Sequence, residues 1–478
     1  MKAQRPPSQA EGTDMNCKRI LLALLLLLMA GCKVGPNYKR PAVTVPDAYR
    51  GPTLDGGQAN GISLGEQKWW DVFNDEQLQK LIRQALDANY DVKIAATRVL
   101  QAQAALGITR ADQFPTIAGG ASALNERIPR VKGLPAYENS ALQVNLSLVW
   151  QLDFWGKYRR ATEAARADLL STEWGKRAVI NSVISNVANG YFQLLELDRE
   201  MEIAKGTLAS RQESLRLVNI RQKGGTTSLL DVRQSEQLLY TAAAAIPDLE
   251  RRIEQEENFI SILLGQNPGP IQRGKPLVEF AILPSVPPGL PSTLLERRPD
   301  LQSAEQQLVA ANARIGVAKA DYFPQISLTA LGGYQSSALT GLFSGPAGLW
   351  SFGGQLAQPI FTGGKIRSNV RLTEAQQQEA VFRYQQSIQQ AFREVSDSLV
   401  AYRKNQEFRE QEANLAASAV DATRLARIRY EGGVSSYLEV LDNDTRSFDA
   451  EISLAQAQLG ERVALVQLYN ALGGGWQQ

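Results

Sequence analysis

The chain has 478 residues, 44% of them hydrophobic and 21% charged, with 51 basic against 49 acidic side chains, two cysteines and no histidine. Without imidazole there is no Ser-His-Asp or Cys-His nucleophile and no histidine-built metal site; both cysteines, Cys17 and Cys32, lie near the start, so the remainder holds no disulfide. The balanced charge leaves no electrostatic footprint for nucleic acid, the apolar fraction is too modest for a polytopic helical membrane protein, and the expectation is a non-enzyme without a cofactor.

Lys18 and Arg19 precede an apolar run, Ile20 to Ala30, of 11 residues. A helix needs about 20 residues to cross a hydrocarbon core of roughly 30 Å, so residues 1–31 read as a secretory signal peptide. Met15, just ahead of the basic pair, is an alternative translation start. Met29-Ala30-Gly31-Cys32 resembles a bacterial lipobox, with Met29 where Leu is usual, which implies a covalent lipid on Cys32. Lys33, rather than Asp, follows the cysteine, which implies the outer membrane of a Gram-negative cell. Cleavage leaves 447 residues carrying 47 basic and 47 acidic side chains, with 32–74 as a lipidated N-terminal extension.

Downstream, the chain is written twice. GITRADQFP, Gly107 to Pro115, returns as GVAKADYFP, Gly316 to Pro324; RQKGGTTSLLDV, Arg221 to Val232, returns as RYEGGVSSYLEV, Arg429 to Val440. The offsets, 209 and 208, are nearly constant, so residues 75–265 and 292–478 are tandem repeats around a Pro-rich linker, 266–291.

In the first repeat, periodic apolar residues predict a helix over Asp75 to Gln113, ended by Pro115, and a much longer one from about Tyr158 to Lys223. In the latter Ile180, Ile184, Val187, Tyr191 and Leu194 alternate steps of four and three, the spacing of a coiled coil. A third helix runs from Leu229 to Leu264, with a kink expected at Pro247. The second repeat gives helices over Asp300 to Tyr322, Lys365 to Arg429 and Tyr437 to Leu472. A helix of about 66 residues rises about 100 Å, nearly the summed rise of the two shorter ones, which predicts a long helical barrel with one long helix beside two stacked short ones.

Between each Phe-Pro and the next long helix the period changes to two. Leu142, Val144, Leu146, Leu148, Trp150 and Leu152 alternate with mostly polar residues, as do Ile326, Leu328, Ala330 and Tyr334, and Trp350, Phe352, Gly354 and Leu356. Thr116 to Leu124 is the weakly patterned repeat mate of the second of these segments, Ile326 to Tyr334. Strands about 115–155 and 324–361, two per repeat, suit a lipid-facing barrel, with Trp150, Trp155 and Trp350 at its interfaces. Four strands cannot close around anything, and open edges are not tolerated in hydrocarbon. The barrel is therefore shared, with 8, 12 or 16 strands for two, three or four copies.

The strings GCKVGPNYKRP (Gly31 to Pro41), Trp69-Trp70 with Phe73, LLERRPD (Leu294 to Asp300), Ala310 to Pro324 and the two Gly-Gly turns resemble the TolC-like outer-membrane factor family, in particular the NodT-type lipoproteins of resistance-nodulation-division efflux systems. The resemblance covers nearly the whole mature chain. It implies a homotrimer with a shared 12-stranded transmembrane β-barrel, an α-helical periplasmic tunnel, and docking to a periplasmic adaptor and an inner-membrane pump. The function implied is a gated outer-membrane exit duct for small molecules or drugs; the alternatives are type I protein secretion and a non-channel structural coiled-coil lipoprotein.

The turns at about 223–228 and 431–436 would then be the periplasmic tips. Gly224, Gly225, Gly432 and Gly433 supply positive φ for the reversal and become adaptor contacts. Glu439 and Asp442, at i and i+3, share a helix face and around a symmetric pore would form carboxylate rings favouring cations. Like charges about 6 Å apart cost roughly 0.7 kcal/mol in water and nearly 3 at an effective dielectric of 20, so closure needs other contacts. By resemblance these are a latch between Tyr430 and Asp231; where the family has a tip Arg this chain has Ser435.

Overall fold

The computed structural model describes residues 33–46, 49, 63–130, 132–133, 135–280 and 291–476; the signal peptide, Cys32 and the linker over 281–290 lie outside the described residues. By contact the chain divides into two compact units, each drawing on both repeats.

One unit comprises the N-terminal residues up to Ala42, Leu100–Ser171 and Ala304–Tyr384. It holds β1 (Thr116–Ile128), β2 (Tyr137–Leu152), β3 (Gln325–Ser336) and β4 (Gly348–Ala357), one antiparallel sheet in the order β1-β2-β3-β4. β2 and β3 pair although they come from different repeats, with Leu142 opposite Ser336 and Leu152 opposite Ile326. All four expected segments are strands. β1 and β2 extend further toward their shared turn than the patterning suggested, because Asn125 to Ile128 pair with Tyr137 to Ser140 without an apolar face to mark them.

The other unit comprises Val43–Val99, Thr172–Ser303 and Gln385–Gln478. Its helices are α1 (Trp69–Val72), α2 (Glu76–Ala88), the start of α3 (Tyr90–Ala111), most of α4 (Lys157–Lys223), α5 (Leu229–Leu263), α6 (Pro291–Arg297), the start of α7 (Pro299–Ala320), most of α8 (Lys365–Glu431) and α9 (Tyr437–Ala471). The expected helix over Asp75 to Gln113 is two helices. Asn89 breaks it: its Oδ1 accepts from the amides of Asp91 (2.8 Å) and Val92 (3.2 Å), capping α3, while its Nδ2 donates to the Leu263 carbonyl (2.9 Å). No Pro or Gly announces this stop. α4 and α8 have 67 residues each and contain no Pro, so nothing interrupts their ladders. Pro247 lies inside α5, where the helix continues across the missing N–H.

The core follows the coiled-coil spacing: Ile180, Ile184, Val187, Tyr191 and Leu194 are all buried. Leu197, Met201 and Ala204 of α4 pack with Leu249 of α5 and Phe448 of α9, joining the two repeats. The linker is ordered where it meets this core. Tyr191 Oη accepts from the Gly274 amide (2.8 Å) and donates to Asp75 (3.3 Å), which caps α2 through the Leu78 amide (2.7 Å). A Cβ on Gly274 would lie 2.6 Å from Asp75 Oδ2, so only glycine permits this approach.

Two acids sit inside this packing. Glu196 is 1% exposed and Glu200 3%. Glu200 is held by Arg252 (2.9 Å) and Gln456 (2.8 Å), whereas Glu196 Oε2 accepts from Gln193 Nε2 (2.8 Å) and no cation among the described residues faces its carboxyl as closely. Burial, then the neighbouring Glu200, push the Glu196 carboxyl up to about 8. A raised folded-state pKa contributes stability that is complete below the unfolded value of about 4.3 and is lost as pH rises through the folded one. Glu196→Gln should therefore leave the thermal midpoint nearly unchanged at pH 5 and raise stability by roughly a few kcal/mol at pH 9; equal parent and variant curves at both pH values would show that Glu196 is ionised throughout.

Candidate functional site: a two-faced sheet and paired helix turns

Because cross-strand partners project from the same face of an antiparallel pair, the register can be followed across all four strands. Ile117 lies opposite Leu148, Leu148 opposite Ala330, and Ala330 opposite Phe352. The neighbouring row runs Gly119, Leu146, Gly332 and Trp350. The row toward the other end brings Trp150, Leu328 and Gly354 together, followed by Leu152, Ile326 and Leu356. Every apolar position of the alternating pattern thus falls on one face. The opposite face carries Gln143, Asn145, Ser147, Gln151, Gln325, Ser327, Thr329, Gln335, Ser351 and Gln355, with Val149, Leu331 and Leu349 as apolar exceptions. The apolar face is uncovered: Leu146 is 62% exposed, Trp350 84% and Phe352 74%. Among the described residues, the outer edges of β1 and β4 have no strand beside them.

The tryptophans differ in setting. Trp150 Nε1 donates to the Gln113 carbonyl (3.1 Å), and Trp155 Nε1 to that of Pro324 (2.7 Å) while its ring stacks on Phe323 at 4.7 Å. Trp350 stands free on the apolar face.

The helix turns belong to the other unit and are built alike. α4 ends with Gly224 N–H donating to Ile220, Gly225 to Gln222 and Thr226 to Arg221; α8 ends with Gly432 to Ile428, Gly433 to Tyr430 and Val434 to Arg429. Only the second glycine of each pair has positive φ, Gly225 at 75° and Gly433 at 73°. The expectation that both members of each pair supply it is corrected: the first glycine still continues the helix, and a Cβ there would meet ordinary contacts of 3.5 Å at Gly224 and 3.4 Å at Gly432. Beneath the turns, Val218, Val232, Ala426, Tyr437, Val440 and Leu441 form one apolar cluster from both repeats.

Around this cluster the four acidic and phenolic residues occupy distinct settings. Asp231 completes a capping box: Ser228 Oγ accepts from the Asp231 amide, and Asp231 Oδ2 accepts from the Ser228 amide (3.0 Å) and from the Thr227 and Ser228 hydroxyls. The Thr227 bond leads in holding its carboxyl below the usual range. Tyr430 lies under Arg221, whose guanidinium is 4.3 Å from the ring centroid, and its ring meets Tyr437 at 5.0 Å. Its hydroxyl is buried and has no hydrogen-bond partner among the described residues. Within one protomer the structure therefore does not bring Tyr430 to Asp231, because the acid is taken by its own turn. Glu439 pairs with Arg429 (3.1 Å) and Asp442 with Arg446 (2.9 Å), so neither carboxylate stands alone.

These arginines escaped the reading of the sequence, although the signal was present: Arg446 is four residues after Asp442, and Arg221 and Arg429 are repeat mates. Arg211, with 4% of its side chain exposed, was also missed; it donates to Asp444 (2.7 Å) and to the Leu238 carbonyl (2.8 Å).

Residues 81–266 and 290–474 each match the model of the outer membrane efflux protein family. The chain belongs to that family. It is 39% identical to the solvent efflux pump outer membrane protein SrpC of Pseudomonas putida over 94% of this chain and 97% of that protein. It is 35% identical to the cation efflux system protein CusC of Escherichia coli over 97% of this chain and 100% of that protein. Among solved structures, the open state of the Neisseria gonorrhoeae MtrE outer membrane channel superposes with a TM-score of 0.84 at 31% identity, covering 93% of this chain and 99% of that one. The fold expected from the sequence, mainly helical tandem repeats with four strands, is that of these channels, and the chain is an outer-membrane exit channel for efflux. Among the described residues no helix is long and apolar enough to cross a membrane; the two-faced sheet is the element suited to lipid.

Two contrasts test these assignments. Ala at Gly225 or Gly433 should cost roughly 1–2 kcal/mol through the left-handed backbone, and Ala at Gly224 or Gly432 much less, as read from hydrogen exchange of the turn amides. Lys at Leu146, on the apolar face, should destabilise the sheet in bilayers by roughly 2–4 kcal/mol, whereas Lys at Ser147 should be tolerated in a folding titration in lipid vesicles; equal losses at the two positions would contradict the assignment of faces.

Proposed function

We propose that three copies of the chain join edge to edge into a closed barrel of 12 strands, continued by the helices as a periplasmic tunnel. In this reading the duct receives small molecules from an inner-membrane pump of the resistance-nodulation-division class through a periplasmic adaptor, and a lipid on Cys32 anchors each copy to the outer membrane of a Gram-negative cell. The observation that carries the proposal is the sheet, with an apolar face in register, a polar face behind it and two open edges. Hydrocarbon offers no donor or acceptor to those edges, so further copies must close them. The relatives named above are efflux proteins, which favours efflux over type I protein secretion. No cofactor enters; the duct is passive and takes its direction from the pump.

The turns at Gly224-Gly225 and Gly432-Gly433 are assigned to the periplasmic end and to adaptor contact. Tyr430, whose buried hydroxyl has no partner among the described residues, supplies, on turning outward, the donor of a latch to Asp231 of a neighbouring copy. Glu439 and Asp442 line the closed pore. Their pairing with Arg429 and Arg446 lessens the mutual repulsion of the rings in the resting state.

Planar-bilayer recordings on heat-modifiable trimers test this reading. Tyr430→Phe combined with Asp231→Ala should raise single-channel conductance, and Glu439→Gln combined with Asp442→Asn should weaken cation preference. Unchanged conductance removes the latch, unchanged ion preference removes the rings, and a stable monomer in detergent and in bilayers removes the shared barrel.

A further inference from the structure

The residues immediately after Cys32 lie in a site built for them. Arg160, near the start of α4, is 1% exposed. Its guanidinium donates to the carbonyls of Val34 (3.1 Å) and Gly35 (3.2 Å) and to Asn37 Oδ1 (2.8 Å). From α7, Asn312 Nδ2 donates to the Pro36 carbonyl (3.0 Å), and buried Glu305 accepts from Tyr38 Oη (3.0 Å) and from two nitrogens of Arg40. Between these polar grips the backbones touch. A Cβ on Gly35 would lie 2.5 Å from Gly316 Cα, and one on Gly316 would lie 2.7 Å from the Val34 carbonyl oxygen. The Val34 amide donates to the Trp155 carbonyl (3.1 Å).

The duplication provides an internal control. The repeat mate of Gly316 is Gly107, around which a Cβ would meet nothing within 4 Å. At the mate of Arg160 stands Ser368, at that of Glu305 Ala96, and at that of Asn312 Gln103. The gripping residues are absent from the half that has no peptide to hold, so they are not an inheritance of the repeat. Arg160 follows the exit of β2, and Glu305, Asn312 and Gly316 precede the entrance of β3. Residues 33–40 therefore cross from one repeat to the other beside the junction where Trp155 already meets Phe323 and Pro324.

We infer that Arg160, Glu305, Asn312 and Gly316 form a binding site for an extended peptide, the chain's own Lys33 to Arg40, and that seating this strap holds β2 against β3, the one strand pairing that no short turn enforces. When the strap leaves, the buried Arg160 guanidinium keeps only its Nη1 contacts to Glu163 (3.1 and 3.0 Å) and Glu305 keeps only Tyr384 Oη (3.5 Å) among their partners in the described residues, so donors and acceptors that the strap satisfies are left buried and unpaired, which is costly. Strap and strand pair should consequently open together. The inference does not depend on lipid at Cys32 or on what the channel exports.

Native-state hydrogen exchange on the detergent-solubilised mature protein tests it. The Val34 amide and the β2–β3 ladder amides should share one opening rate and one denaturant dependence. Gly316→Val, which expels the strap, should speed exchange across 142–152 and 326–336 at least tenfold and leave 221–240 unchanged. In Tyr38→Ala combined with Arg40→Ala, which leaves the receiving residues intact, the same speeding should be reversed by a synthetic peptide of residues 33–41. If the Val34 amide exchanges far faster than an undisturbed ladder, or the peptide restores nothing, the strap is a surface covering and the inference is wrong. Should Gly316→Val fail to fold, the parent measurement and the double variant decide.

Discussion

Backbone hydrogen bonding at the two edges of one sheet governs the rest of this molecule. Four strands whose apolar residues share a face can present that face to lipid only if every edge N–H and C=O is paired, since an unsatisfied group in hydrocarbon costs several kcal/mol. Among the described residues β1 and β4 end the sheet without a further strand beside them. Four strands cannot fold back to close their own edges, and among the described residues no helix is long and apolar enough to cover those edges across the lipid. Completion by copies satisfies the edges and leaves the polar rows of Gln, Asn and Ser facing an aqueous interior.

Duplication supplies the parts, and divergence assigns them different work. Asp231 and Glu439 occupy the same place three residues into their helices, yet one closes a capping box and the other reaches Arg429. Ser436, the mate of Ser228, makes no side-chain cap. Arg221 and Arg429 diverge likewise, the first lying over Tyr430 and the second pairing with Glu439. The glycines that set the reversal, Gly225 and Gly433, have not diverged, because a left-handed residue is required at each turn whatever the side chains around it do.

The period-2 segments, the long coiled-coil helices and the Gly-Gly breaks were legible because each is a local pattern with a local cause. The division at Asn89 was not, since an Asn cap within an apolar period looks like any polar residue until its partner, the Leu263 carbonyl, is known. The register that gathers four apolar rows on one face is likewise nonlocal: β2 and β3 are far apart in sequence, and alternation within each strand fixes parity without fixing the neighbour. Among the gate candidates, sequence located the residues but not their bonds. Asp231 carries its own capping signature, Ser-x-x-Asp, which predicts its occupation by the turn; the arginines that neutralise Glu439 and Asp442 required the folded arrangement or a closer use of the repeat.

The helices add an argument independent of the sheet. On α8 the apolar Phe382, Phe408, Leu415 and Ile428 are all more than half exposed. Elsewhere on that helix the surface is laced with ion pairs one turn apart, Glu379 with Arg383, Arg403 with Glu407 and Asp421 with Arg424. Such exposed pairs contribute about 0.5 kcal/mol or less each and are screened by salt, so they keep a face soluble without selecting what binds it. Apolar area gains roughly 25 cal/mol for each Å² removed from water, and it is this part of the surface that rewards association. α3 carries the same mark, with Tyr90 66% and Ile108 72% exposed. A chain that served alone would gain nothing from holding these side chains in water along helices that a few polar substitutions would make inert, and their persistence on helices from both repeats extends to the helical part the need for neighbours that the open strands impose on the sheet.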